Sequence, residues 1–152
     1  MASKSLPLPT LEDALRQFAH RAFLDIELKV VGLEAQTVAE LRKHPPQKGY
    51  VVSSFLPEAL TAMHNLDSVI PLGILCDSEG QLRGWREMPA QWVIPQFELA
   101  DKELVGLVHA AGKRIMVWTV NRAEFVREFA EWGVDAIISD ETRRIAEIVS
   151  PR

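Results

Sequence analysis

Short apolar runs alternate along this chain with longer segments in which apolar residues recur at helical spacing. The runs are rich in valine and isoleucine and too short for helices, so the pattern predicts buried parallel strands. The predicted strands are Phe23–Leu28, Tyr50–Ser54, Pro71–Cys76, Trp92–Pro95, Arg114–Val120 and Asp135–Ser139. They recur about every 20 to 26 residues, a spacing that suits one strand and one helix per unit.

Capping residues mark the ends of several predicted helices. Thr10 with Asp13, and Asn121 with Glu124, have the spacing of capping boxes, in which two side chains satisfy the first backbone amides of a helix. Gly133 can adopt the left-handed conformation that ends a helix. We therefore expect one helix to begin at Thr10 and another to lie between Asn121 and Gly133.

Six consecutive strand–helix units predict an α/β fold, but the pattern leaves two architectures open. One is an open doubly wound sheet, and the other is an incomplete TIM-type (β/α) barrel, about two units short of the usual form of roughly 250 residues. No interior linker interrupts the sequence, so residues 1–152 are expected to form a single domain. Both architectures place functional residues at the carboxyl ends of the strands.

Composition and charge exclude several classes of function. A net charge of -4 at pH 7 argues against a nucleic-acid or anionic-membrane partner, because both usually require a basic surface. No apolar stretch approaches the roughly 18 residues of a membrane span. The single cysteine, Cys76, cannot form an internal disulfide, so a reducing, cytoplasmic environment is expected.

The first predicted strand carries the residues with the clearest chemical potential. Asp25, Glu27 and Lys29 alternate with apolar residues, which places all three on one face. At a strand end, a carboxylate can bind Mg²⁺ or Ca²⁺ and a neighbouring lysine can hold a phosphate. An ion pair at the rim of the sheet explains the same residue types. Neither a glycine-rich phosphate loop nor a zinc-type spacing of Cys and His occurs.

Five segments match, in order, the motifs of one enzyme family. They resemble the Ile-Pro-Thr-Leu-Glu helix start, the Ile-Glu-x-Lys signature, the Ser-Phe strand end, and the Trp-Thr-Val-Asn and Gly-Val-Asp-Gly-Ile-Ile-Thr-Asp segments of the glycerophosphodiester phosphodiesterase family. The matching segments here are Leu8–Glu12, Leu24–Lys29, Val52–Phe55, Val117–Asn121 and Gly133–Asp140. Ala136 replaces the family's glycine and Ser139 its threonine.

The resemblance implies a TIM-type barrel that hydrolyses glycerophosphodiesters to glycerol 3-phosphate and an alcohol. It also implies a divalent cation, Mg²⁺ or Ca²⁺, with Glu27 as one of its three carboxylate ligands. Lys29, Phe55 and Trp118 would bind the substrate by the same match. The family's two catalytic histidines and its other two carboxylates belong to its first two strand–helix units.

The motifs that would carry those remaining residues are not found in this sequence. There is no His-Arg-Gly and no Glu-x-Asp, and His20-Arg21 is followed by Ala22. No histidine is a convincing catalytic residue, and one carboxylate beside a lysine makes a weak Mg²⁺ site. We therefore expect an impaired or inactive enzyme. The alternative is a non-catalytic module that binds a phosphoester or closes its open barrel by oligomerisation, since unpaired edge strands favour association.

Overall fold

Parallel strands follow one another around a curled sheet, and the helices cover its outer face. The computed structural model describes residues 8–149. The strands are β1 (Leu24–Glu27), β2 (Tyr50–Ser54), β3 (Leu72–Cys76), β4 (Trp92–Pro95), β5 (Arg114–Val117) and β6 (Ala136–Ile137). The helices are α1 (Leu11–Phe18), α2 (Glu34–Lys43), α3 (Pro57–Leu66), α4 (Glu79–Leu82), α5 (Lys102–Ala110), α6 (Ala123–Trp132) and α7 (Thr142–Val149).

The order of the strands decides between the two predicted architectures. All neighbouring strands are parallel, and their order in the sheet is β1-β2-β3-β4-β5-β6, the same as in the chain. A doubly wound sheet would reverse its order at a switch point. The fold is therefore an incomplete TIM-type barrel of six strand–helix units, as one of the two predictions stated.

Alternating side chains give the sheet two distinct apolar faces. On the outer face, Val52, Ile74 and Val93 belong to a core that includes Leu60 of α3 and Val105 of α5. The concave face carries a separate cluster built from sheet residues, which comprises Val51, Leu75, Trp92, Ile94 and Met116. Burial of each such side chain stabilises the fold by about 1.5–3 kcal/mol. The concave face is thus filled by side chains at its centre.

The capping predictions are confirmed at one helix and wrong at another. At α1, the Asp13 amide donates to Thr10 Oγ1 at 3.2 Å, and the Thr10 amide donates to Asp13 Oδ2 at 2.9 Å. At α6, the residue before the helix is Arg122, whose side chain makes no cap hydrogen bond. The predicted box of Asn121 with Glu124 does not form, because the Asn121 side chain is bonded elsewhere.

The outer strands are shorter than their apolar runs suggested. The ladder of β6 covers Ala136–Ile137, whereas the run predicted Asp135–Ser139. Trp118 extends β5 only as an isolated bridge to Gln96, and the Val120 amide donates to the Ile138 carbonyl outside the ladder. Apolar residues therefore continue past the paired segments: Trp118 and Ile138 pack against the concave cluster, and Val120 packs against α6 and α7.

The contact at Gly73 gives a direct test of packing on the concave face. A Cβ at this position would lie 2.5 Å from Ile94 Cδ1 and 3.1 Å from Val51 Cγ2. We expect Gly73→Ala to lower the free energy of unfolding by about 1–3 kcal/mol, measured by urea denaturation. Gly106→Ala is the control, because a Cβ there meets nothing within 4 Å and the site is inside a helix. It should stabilise by about 0.5–1 kcal/mol, and equal effects of the two substitutions would contradict the packing described.

Candidate active site

The charged residues of the first strand lie on the concave face. Ile26 and Leu28 pack against the outer core, so Asp25, Glu27 and Lys29 face the opposite side. Lys29 Nζ lies 3.6 Å from Glu27 Oε2, which is longer than a strong charge-assisted hydrogen bond. The Lys29 side chain is 77% exposed, so the pair contributes only about 0–1 kcal/mol to stability. The ammonium group therefore remains available to an anion.

Asp25 lies on the same face of β1, two residues before Glu27 and further from the carboxyl end of the strand. It accepts a hydrogen bond of 2.6 Å from Ser53 Oγ on the neighbouring strand. Burial raises the pKa of the Asp25 carboxyl above its usual range; the Ser53 hydrogen bond opposes this shift and the nearby Glu27 charge adds to it. The sequence pattern placed Asp25 on the same face as Glu27 but gave it no role, because its partner Ser53 lies on a different strand.

Two aromatic side chains form a wall at the same mouth. The rings of Phe55 and Trp118 meet edge to face, with centroids 5.6 Å apart. Trp118 Nε1 donates to the Ile94 carbonyl at 2.9 Å, and the Trp118 amide donates to the Pro95 carbonyl at 3.3 Å. The indole is therefore fixed through its ring and its backbone. Both residues belong to the concave apolar cluster.

Asn121 joins the loop after β5 to the loop after β6. Its Nδ2 donates to Asp140 Oδ2 at 2.9 Å, and its Oδ1 accepts from Ser139 Oγ and from the Asp140 amide, both at 3.0 Å. These contacts use both ends of the amide, which explains why it does not cap α6. Both residues end segments that match family motifs, but the sequence did not show that they bind each other.

Comparison with known proteins identifies the family to which this chain belongs. Residues 2–144 match the sequence model of the Glycerophosphoryl diester phosphodiesterase family. This chain belongs to that family. The family assignment made from the five motifs is confirmed.

Relatives of the family match most of this chain, but the chain covers only part of them. It is 25% identical over 154 residues to the glycerophosphodiester phosphodiesterase of Bacillus subtilis (strain 168), covering 89% of this chain and 52% of that protein. The structure of an Oleispira antarctica phosphodiesterase in complex with the product sn-glycerol-3-phosphate matches this chain with 25% sequence identity and a TM-score of 0.80. That match covers 93% of this chain and 61% of the other. The chain thus spans about half the length of its curated Bacillus relative.

The histidines of this family member lie away from the mouth. His44 follows α2, and His64 and His109 lie in the last turns of α3 and α5, which lead into the amino ends of the next strands. His20 follows α1 in the same way. His109 Nε2 lies 2.9 Å from Asp135 Oδ2, at the start of the last strand. The structure therefore brings no histidine to Glu27.

The described residues do not complete a divalent-cation site at the mouth. Within residues 8–149, one group of three acidic or histidine side chains could share an ion, with ligand atoms within 4.8 Å of one another: Glu12, Glu40 and His44. It lies between α1 and α2, and Glu12 Oε1 already accepts from Lys43 Nζ at 2.8 Å. At the mouth, Glu27 shares its charge with the Lys29 ammonium. One carboxylate in that setting does not fit a stable Mg²⁺ or Ca²⁺ site alone.

Cys76 does not add a nucleophile to the site. It is fully buried on β3 as part of the outer core. Burial raises the pKa of its thiol to about 12, and the Asp77 charge contributes in the same direction. The reactive thiolate is therefore almost absent at neutral pH.

Replacing Asn121 tests the link between the two loops at the mouth. Asn121→Ala removes three hydrogen bonds, so we expect a loss of about 1–2 kcal/mol in unfolding free energy. Hydrogen exchange of the Asp140 amide should accelerate, because that amide donates to Asn121. Asn65→Ala, at an exposed position of α3, is the control and should leave the exchange unchanged. Unaltered exchange at Asp140 in Asn121→Ala would show that the link does not hold the loop.

Proposed function

We propose that this chain binds glycerophosphodiester-type small molecules at the carboxyl ends of its strands, as a partial glycerophosphodiester phosphodiesterase barrel. The observation that carries the proposal is the Glu27–Lys29 pair on the concave face of β1, in the same strand-end mouth as the Phe55–Trp118 wall. A polar, phosphate-compatible side and an apolar side suit a phosphodiester with a short organic group. The product bound to the Oleispira antarctica relative, sn-glycerol-3-phosphate, supports the same chemical class.

Each residue has a separate proposed role. The exposed Lys29 ammonium would bind a non-bridging phosphate oxygen as a point charge. Phe55 and Trp118 would contact the carbon skeleton of the substrate. Glu27 would serve as a single ligand to a divalent cation, Mg²⁺ or Ca²⁺, only where oxygen ligands from outside the described residues complete the site. Such an ion would neutralise charge on the phosphate.

Hydrolysis to glycerol 3-phosphate and an alcohol requires more than phosphate binding. A proton must leave the attacking water, and another must reach the departing alkoxide. No histidine of the described chain lies at the mouth to perform these two proton transfers. We therefore propose that the reaction is impaired or absent in this chain by itself.

The incomplete ligand set and the open sheet support a second candidate function. In this hypothesis the chain is a non-catalytic module that binds a phosphoester and associates with further copies through the open edges of its sheet. β1 and β6 each have a neighbour on one side only in the described residues. Unpaired strand edges promote association.

None of the described helices has the length and apolar character that a bilayer crossing needs. The single buried thiol supports a proposed cytoplasmic location.

An activity assay separates the two functions. The pure chain is incubated with glycerophosphocholine and Mg²⁺, Ca²⁺ or Mn²⁺, and released glycerol 3-phosphate is measured. We expect a rate at least about 100-fold below that of the Bacillus subtilis relative, because none of the described residues brings a histidine to the mouth to transfer protons. Glu58→Ala, at an exposed position of α3, is the control. A rate comparable to that of the relative would refute the hypothesis of a non-catalytic module, provided that Glu27→Ala abolishes it and Glu58→Ala preserves it.

Binding is tested in the same samples through intrinsic tryptophan fluorescence, to which Trp118 and the three other tryptophans contribute. Glycerol 3-phosphate should change the emission, and Lys29→Ala should weaken the response. Lys48→Ala is the matched control, because Lys48 is exposed just before β2, at the opposite end of the strands. Equal responses of the two variants would remove Lys29 from the proposed site.

The proposed self-association has its own measurement. Light scattering at micromolar concentration should give the mass of a dimer or a larger oligomer, since association covers unpaired edges. A monomer across this range would exclude the homo-oligomer.

A further inference from the structure

Ser54, at the end of β2, is a polar residue that is completely buried. The hydroxyl of the preceding residue, Ser53, lies on the concave face and donates to Asp25. Because side chains alternate along a strand, Ser54 shares the opposite face with Val52, which belongs to the outer core. A hydroxyl in such surroundings is costly unless it is hydrogen-bonded, so its partners show what it stabilises.

The Ser54 hydroxyl joins the carboxyl ends of two neighbouring strands. Ser54 Oγ donates to the Leu28 carbonyl at 2.6 Å. Leu28 directly follows β1, and its amide donates to the Ser53 carbonyl at 2.8 Å. Both backbone groups of Leu28 are therefore bonded to β2. Lys29 is the next residue, so its main chain starts from a fixed point.

The same hydroxyl closes a turn around Phe55. Ser54 Oγ accepts from the Leu56 amide at 3.0 Å, and Leu56 is the residue from which α3 begins. Serine hydroxyls form such turns with the backbone two residues further along the chain. Phe55 lies between the two bonded residues, so its main chain is held on both sides. Its ring meets Trp118 on the concave face, with centroids 5.6 Å apart.

One hydroxyl thus lies behind both sides of the proposed binding site. Lys29 follows the residue whose carbonyl accepts from Ser54, and Phe55 precedes the residue whose amide donates to Ser54. The Lys29 side chain is 77% exposed and lies 3.6 Å from Glu27, so its own contacts restrain it little. All the bonds of Ser54 lie between β1, β2 and the start of α3, and they do not depend on the open edges of the sheet.

We propose that Ser54 is a positioning residue that holds Lys29 and Phe55 in fixed relative positions for a phosphoester that contacts both. The inference rests on the proposed function, in which those two residues bind the ligand. The Ser54 side chain lies on the outer face of the sheet and does not touch the ligand. Its contribution is preorganisation, because residues that are fixed in advance lose less freedom when a ligand binds. Without the hydroxyl, the Leu28 carbonyl and the Leu56 amide lose the partner that they share.

Nuclear magnetic resonance on the ligand-free chain tests the restraint itself. In Ser54→Ala, hydrogen exchange of the Leu56 amide should accelerate about threefold to tenfold, because its acceptor is removed. The backbone order parameters of Lys29 and Phe55 should fall. Ile70→Val is the matched control, because it removes one buried carbon from the outer core just before β3, at the opposite end of the strands. It should leave all three residues unchanged.

Binding of glycerol 3-phosphate tests the consequence for the site. Ser54→Ala should raise the dissociation constant about threefold to tenfold in isothermal titration calorimetry, and Ile70→Val should change it less than about twofold. Because Ser54 acts through Lys29, the double variant Ser54→Ala with Lys29→Ala should lose less affinity than the product of the two single losses. A serine that contributes only to general stability gives losses that multiply.

Three results would overturn the inference. Order parameters of Lys29 and Phe55 that stay unchanged in Ser54→Ala show that the hydroxyl does not restrain them. Losses of affinity that multiply leave Ser54 with a structural role alone. A Leu56 amide that is unprotected in the wild type excludes the turn, and this measurement does not require that any variant folds.

Failure of the proposed function has a different signature. A wild-type chain that does not bind glycerol 3-phosphate, or a Lys29→Ala variant that binds it as the wild type does, refutes the site. Either result also removes the role of Ser54 in binding, whatever the exchange and order parameters show. If the wild type binds and Lys29→Ala weakens binding, an unaffected Ser54→Ala variant refutes the positioning role alone.

Discussion

The side chains of Ile94 and Val51 lie directly over Gly73, in space that any larger residue would need. This contact packs side chains of β2 and β4 over the strand between them, on the concave face of a sheet that curls. Curling brings the strand ends around a common mouth, so residues distant in the chain become neighbours. The Phe55–Trp118 wall and the Glu27–Lys29 pair owe their shared location to it.

Local chemistry made much of the fold predictable. The valine- and isoleucine-rich runs predicted the bounds of β2 and β4 correctly and those of β3 to within one residue, because these strands are buried on both faces. Thr10 and Asp13 predicted the start of α1, since a capping box depends only on residues three apart. The face occupied by Glu27 could not be assigned in the same way, because alternation shows which residues share a face but not which face is the concave one.

Contacts between distant segments account for what the sequence left undetermined. Asn121 has the spacing of a capping residue, yet its side chain accepts hydrogen bonds from Ser139 and Asp140 in the loop after β6 and does not cap α6. Asp25 gains significance only beside Ser53, which lies on the neighbouring strand. In each case the deciding partner lies in another strand–helix unit. The family resemblance supplied Lys29, Phe55 and Trp118, but it gave no geometry for them.

Cys76 has a practical consequence that extends to the whole molecule. Its thiol is the only one in the sequence, is fully enclosed, and has a pKa of about 12. The native protein is therefore silent toward maleimides and other thiol-directed labels under ordinary buffer conditions. A spin label or fluorophore attached to one introduced surface cysteine would report from that position alone, with the wild-type background left intact. The core thus leaves the natural chain ready for site-specific spectroscopy without a cysteine-free variant.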